Sequence, residues 1–139
     1  MDNDTTTNEE FEIFKKECLY WINEFCLHDW DVEFWHEDMS EAKARTDWTC
    51  EGKLARITFS KDWSHVHKTD VAIKASAFHE ATELLLAELS AISNCVVVDH
   101  KRTDRAVHSV IHRLQHMLID RERDEIQIDI VQSLKTEEV

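Results

Sequence analysis

The 139-residue sequence has no proline, only one glycine, and no apolar run approaching the roughly 20 residues that a membrane-spanning helix needs. It is also short of positive charge: 16 Lys and Arg stand against 29 Asp and Glu, a formal net charge of −13. A surface this negative repels phosphate backbones, which excludes a nucleic-acid binder working through a basic face. CxxC pairs are missing as well. Cys18, Cys26, Cys50 and Cys95 are too widely spaced for a zinc ribbon and too few for a secreted disulfide scaffold, so four buried thiols are expected. The start, MDNDTTTNEE, has neither the basic residues nor the apolar stretch of a signal peptide, and a cytoplasmic, non-membrane protein is expected.

What is present argues for a folded chain. Hydrophobic residues make up 42% of it and include five Trp, enough apolar surface for a core, and the length suits one domain. Nine His make metal ligation or proton transfer worth seeking.

Residues 1–8 are polar and predict a flexible N-terminal tail. From Glu9, the residues Phe11, Phe14, Cys18, Trp21, Ile22 and Phe25 recur at helical spacing and predict an amphipathic helix ending near Leu27. Trp30, Val32, Phe34 and His36 alternate with polar neighbours as in a half-buried strand, and Lys43–Cys50 and Leu54–Phe59 are two further strand-like runs. The lone Gly52 falls between the latter two, where a hairpin needs a residue tolerant of positive φ. Three antiparallel strands are expected. Thr69 or Asp70 then caps an Ala-, Leu- and Glu-rich helix of about 20 residues. Cys95–Asp99 reads as an extended connector. A last helix is expected from about Thr103 to Ile119, carrying Val107, Val110, Ile111, Leu114 and Leu118 as its apolar stripe. Residues 120–139 form a C-terminal extension that fits a strand or a helix equally well. The expected fold class is α+β, with a small antiparallel sheet packed against helices and one domain over residues 9–119.

The chemistry concentrates in the long helix. His79 and Glu83 are four residues apart, about 40° around a helix, so both side chains can converge on one point. Phe78, Thr82, Leu86 and Leu89 are expected to hold them near the core. Glu80 is rotated by about 100° from His79 and can reach the flank of whatever the pair holds. Zinc hydrolases use this pattern: two helix residues bind the metal and a neighbouring Glu takes a proton from the attacking water. A third protein ligand is required, and His108, His112 and His116 follow at four-residue intervals on the last helix. His108 and His112 are both candidates, and His112 is alternatively an oxyanion donor. His65 and His67 read either as a ligand pair or as solvated loop residues.

At these residues the sequence resembles the small phage and prophage metallopeptidase-like proteins of the zincin (minigluzincin-like) class. Their HExxE-Leu-Leu-Leu helix is matched by His79-Glu80-Ala81-Thr82-Glu83-Leu84-Leu85-Leu86. Their following His-x-x-Ile-x-Arg-Leu-x-Asn helix is matched by His108-Ser109-Val110-Ile111-His112-Arg113-Leu114, with His116 standing where the family has Asn. The resemblance covers about residues 9–119. It implies a zincin-like fold, zinc or another divalent transition metal on His79, Glu83 and His108, Glu80 as general base, and a peptide or protein substrate. Glu83 stands where the zincin motif has a second His, and its negative charge weakens a bound metal as a Lewis acid. The acidic surface supports a second expectation: a non-enzymatic inhibitor or nucleic-acid mimic that occupies the basic surface of a host protein, with a structural or vestigial metal site.

Overall fold

The computed structural model of the chain describes residues 4–95 and 99–120, and these two stretches form two compact units. The first holds helix α1 (Asn8–Glu24), strands β1 (Asp31–Glu37), β2 (Ala44–Thr49) and β3 (Leu54–Ser60), helix α2 (Asp70–Leu85) and helix α3 (Ala87–Ser93). The second holds helix α4 (His100–Gln115), continued by one π-helical turn, His116–Asp120. The fold is α+β. No helix among the described residues is long and apolar enough to cross a membrane.

Local chemistry sets the ends of α1. Thr7 and Glu10 form a reciprocal capping box: Thr7 Oγ1 accepts from the Glu10 N–H at 3.1 Å and the Thr7 N–H donates to Glu10 Oε1 at 3.0 Å. At the other end Cys26 takes the left-handed conformation, φ 54°. The Leu27 N–H reaches Ile22 O at 2.9 Å and the Cys26 N–H reaches Asn23 O at 3.1 Å. That is a Schellman ending built without glycine.

The expected loose start of the chain is held in place over its described residues. The Thr6 N–H donates to Lys61 O at 2.9 Å and the Trp63 N–H donates to Asp4 O at 2.7 Å, so residues 4–6 pair alongside the exit of β3. Thr6 is buried.

The sheet is mixed, in the order β1-β3-β2, which corrects the expected all-antiparallel arrangement. β3 is central. It runs parallel to β1, with Phe34 opposite Ile57, and antiparallel to β2, with Thr46 also opposite Ile57. Alternation identifies a half-buried strand but is silent on its partner and direction, which is why the sequence left this open to error. Ser60, fully buried at the end of β3, fastens the β1–β2 connection: its hydroxyl lies 2.7 Å from Met39 O and accepts from the Met39 N–H at 3.1 Å. The β2–β3 hairpin turns at Gly52 (φ 75°) and Lys53 (φ 50°), as the position of the lone glycine predicts.

α1 and α2 pack against each other and one face of the sheet. Phe14 of α1 stacks on Phe59 of β3 with ring centroids 4.5 Å apart, and the Cys18 thiol points at Ala77 O of α2 at 3.7 Å. Ile57, Trp63, Ile73, Ala81 and Leu84 complete this core. Thr69 caps α2 through its hydroxyl, which accepts from the Ala72 N–H at 3.1 Å. The expected 20-residue helix is two pieces. Leu86, at φ −96° and ψ 6°, breaks the regular path between α2 and α3. No Gly or Pro marks that break. α4 begins three residues earlier than expected because Asp99 caps it, its Oδ1 accepting from the Lys101 and Arg102 N–H groups at 3.1 and 3.3 Å. The middle of the Cys95–Asp99 connector and the C-terminal extension from residue 121 onward lie outside the described residues.

Candidate functional site

The burial of α2 follows its small residues. Ile73, Ala77, Ala81 and Leu84 face inward because alanines let α1 approach closely, while Phe78 and Leu86 are among the exposed large apolar residues of the chain. Phe78 leans instead on Trp21 of α1, edge to face, with centroids 4.8 Å apart. The helix is therefore rotated relative to the sequence expectation, which had Phe78, Thr82, Leu86 and Leu89 marking the core side.

This rotation sorts the HExxE residues. His79 and Glu83 converge as their spacing predicts, with His79 Nε2 3.4 Å from Glu83 Oε1, but they do so in solvent, their side chains 68% and 50% exposed. Glu80 turns the other way and is buried, 5% exposed. Its carboxylate finds Thr46 of the edge strand β2: Thr46 Oγ1 lies 2.8 Å from Glu80 Oε2 and 3.2 Å from Glu80 O. Burial pushes the Glu80 carboxyl above its ordinary value, the Thr46 hydrogen bond and the nearby His79 opposing that shift. Burial likewise raises the Cys18 thiol, with the Glu80 charge adding to the effect, so this cysteine is an inert core group.

Thr46 was not among the candidates drawn from the sequence. It is an ordinary polar residue of an alternating strand, and nothing local signals that it supports a carboxyl group from another element.

His108 and His112 lie in the second unit, one turn apart on α4, with ring centroids 6.3 Å apart and planes tilted by 35°. His65 and His67 are exposed in the connection before α2. His36, which carried no expected role, is tied into the first unit: its ring stacks on Phe11 at 4.9 Å and its Nε2 lies 2.7 Å from Thr6 Oγ1. The Thr6 hydroxyl donates its one proton to Ser60 O at 2.8 Å, so His36 Nε2 carries the hydrogen between the two side chains.

Within neither unit taken alone do the described residues gather three His, Cys, Asp or Glu side chains around one point. The first unit supplies two donors, an imidazole nitrogen and a carboxylate oxygen, and both types suit zinc. A depression of about 360 Å³ on the outer sheet face, lined by Glu33, Asp47, Trp48, Leu54 and Arg56 among others, includes no residue of α2. No protein-family model, curated protein or solved structure matches this chain.

Proposed function

We propose that the chain is a metal-dependent hydrolase of the zincin type, acting on a peptide or protein. The observation that carries this reading is the convergence of His79 and Glu83 at 3.4 Å, one residue from a buried carboxyl group whose proton affinity is raised. Zinc held by His79 and Glu83, with His108 as the third ligand that the family resemblance implies, would supply a Lewis acid that polarises a carbonyl and lowers the pKa of water. Glu80 is suited to take a proton from water and deliver it to a leaving amine, because burial raises the proton affinity of its carboxyl. β2 is an edge strand antiparallel to its neighbour, and an extended substrate backbone can lie along its free side.

The second reading is the acidic interaction protein with a vestigial site. One observation favours it: the Glu80 carboxyl is engaged by Thr46 and faces the core, whereas His79 and Glu83 face solvent. Two measurements separate the readings. Zinc content after metal-free purification and zinc loading should fall in His79→Ala and Glu83→Ala; equal metal content in all three proteins removes the metal site. Hydrolysis of a mixed peptide library should be lost in Glu80→Gln while its zinc content stays. Metal binding with no Glu80-dependent hydrolysis leaves the interaction protein.

A further inference from the structure

α4 carries His108 and His112, and His116 opens the π-helical turn that continues it, each four residues beyond the last. Four-residue spacing puts consecutive side chains on one helical face, one above the other. The first two rings are 6.3 Å apart between centroids, tilted by 35°, and both side chains are exposed. We infer that His108 and His112 form a two-nitrogen clamp for a divalent transition metal on α4, a site that stands apart from the HExxE helix and does not rest on the hydrolase reading.

The chemistry follows from the ring positions. A metal bonded to imidazole nitrogen at about 2.0–2.1 Å lies roughly 3.2 Å from the ring centroid, so two rings holding one metal at a right or tetrahedral angle have centroids about 4.5–5.2 Å apart. The observed pair must close by about 1–2 Å. Small χ1 rotations of the two exposed rings, inside their staggered wells, bring the centroids together, and χ2, which is broad for His, then turns a nitrogen of each ring toward the metal. No backbone movement is needed, because the helix already fixes both Cβ atoms. Imidazole pairs favour copper and nickel over zinc at equal concentration. The remaining coordination positions are open to water or a ligand. A metal bridging two successive turns also holds the helix closed, so binding and helix stability are linked. One nitrogen holds one metal, so filling this clamp competes with any use of His108 beside His79 and Glu83.

Nickel chloride titrated into the full chain tests the clamp, read by calorimetry and by broadening of the histidine ring resonances. His112→Ala is the decisive variant, because it removes both four-residue His pairs, 108/112 and 112/116, while placing a strong helix former in α4. The clamp predicts one nickel per chain, early broadening confined to His108 and His112, at least tenfold weaker binding in His112→Ala, and unchanged binding in His79→Ala. His112→Gln repeats the test if the alanine variant folds poorly. Equal affinity in wild type and both His112 variants overturns the clamp. Binding lost in His79→Ala and kept in His112→Ala also overturns it and leaves the HExxE site standing. Binding kept in His79→Ala and lost in His112→Ala supports the clamp whatever becomes of the hydrolase.

Discussion

Thr46 Oγ1 sits 2.8 Å from Glu80 Oε2 and 3.2 Å from Glu80 O, so one hydroxyl on the edge strand meets both the side chain and the backbone of one residue in the middle of α2. The hydroxyl has one proton and two acceptors to satisfy. The shorter contact takes the proton: Thr46 Oγ1 donates to Glu80 Oε2, with Glu80 O as the longer, shared acceptor. An ionised carboxylate takes the Thr46 proton for itself. Burial raises the Glu80 carboxyl while the hydrogen bond donated by Thr46 works against it, and burial is the larger of the two.

The first prediction is a pH dependence. Because the folded-state pKa of Glu80 is raised above 4.5, the native chain binds more protons than the unfolded chain once pH passes that value. The contribution of Glu80 is fully present below pH 4.5 and is lost as pH rises through the folded value. Glu80→Gln keeps a hydrogen-bonding group and removes the charge, so urea denaturation from pH 4 to pH 8 should show the variant gaining on wild type as pH rises. Parallel curves for the two proteins contradict this.

Removing the partner tests the same contact from β2. Thr46→Val leaves the buried carboxyl without its hydroxyl and should cost about 1–3 kcal/mol of stability at neutral pH, the range for an orphaned buried polar group. Thr46→Ser should recover most of that loss. Denaturant midpoints for the three proteins measure it, and a Val variant as stable as wild type would show that the hydrogen bond contributes nothing net.

His36 has the opposite sign. Burial, with Lys61 nearby, lowers its folded-state pKa below 6.5, so the unfolded chain binds the extra proton first. Stability from this group is complete above pH 6.5 and falls as pH drops below it. Between the two reference values Glu80 and His36 pull against each other, and the wild-type profile alone does not separate them. His36→Gln keeps an N–H for Thr6 Oγ1 and does not titrate. It should flatten the fall in stability between pH 7.5 and pH 5, while Thr6→Val should speed amide exchange over residues 4–7 at every pH.

Much of the fold was legible in the sequence. Period and capping residues located α1, the three strands, and the starts of α2 and the hairpin, because those signals are local. Strand order was not, since parallel pairing of β1 with β3 depends on which neighbour a strand meets. The rotation of α2 misled for a different reason: Phe78 is large and apolar, but Ala77 and Ala81 permit the close approach to α1, and packing chose the alanines. That choice carried His79 and Glu83 outward and Glu80 inward. The spacing of His79 and Glu83 was readable; their exposure and the role of Thr46 were not, because both are properties of two elements together.

Exposure makes a further prediction about the pair. His79 and Glu83 side chains are 68% and 50% exposed, so their contact contributes little to the fold. Metal-free His79→Ala and Glu83→Ala should each fall within about 0.5 kcal/mol of wild type in denaturant unfolding. A buried structural pair broken on one side would instead cost about 3–5 kcal/mol. A loss of that size in either variant would show that the two residues are retained for stability, which removes the main support for a ligand role.

The hairpin turn gives the last test, in which backbone strain and side-chain crowding separate cleanly. Gly52 has φ 75°, and a Cβ added there would meet only Leu54 Cγ, at 3.9 Å, an ordinary contact. Substitution is therefore resisted by conformation alone. Alanine in the left-handed region costs about 1–2 kcal/mol, while asparagine tolerates that region because its short side chain bonds locally. Gly52→Ala should lower stability by about that amount and Gly52→Asn by clearly less, measured as urea midpoints at constant m-value. The adjacent Lys53, at φ 50°, already bears the same strain and sits in ion pairs with Asp29 and with Glu88 at 3.6 Å. Lys53→Gly should relieve the strain but remove both pairs, so its net change should be smaller than that of Gly52→Ala. If the two glycine-site variants lose the same stability, steric contact rather than backbone conformation limits the turn, and the single glycine of the chain is not where it is for its φ.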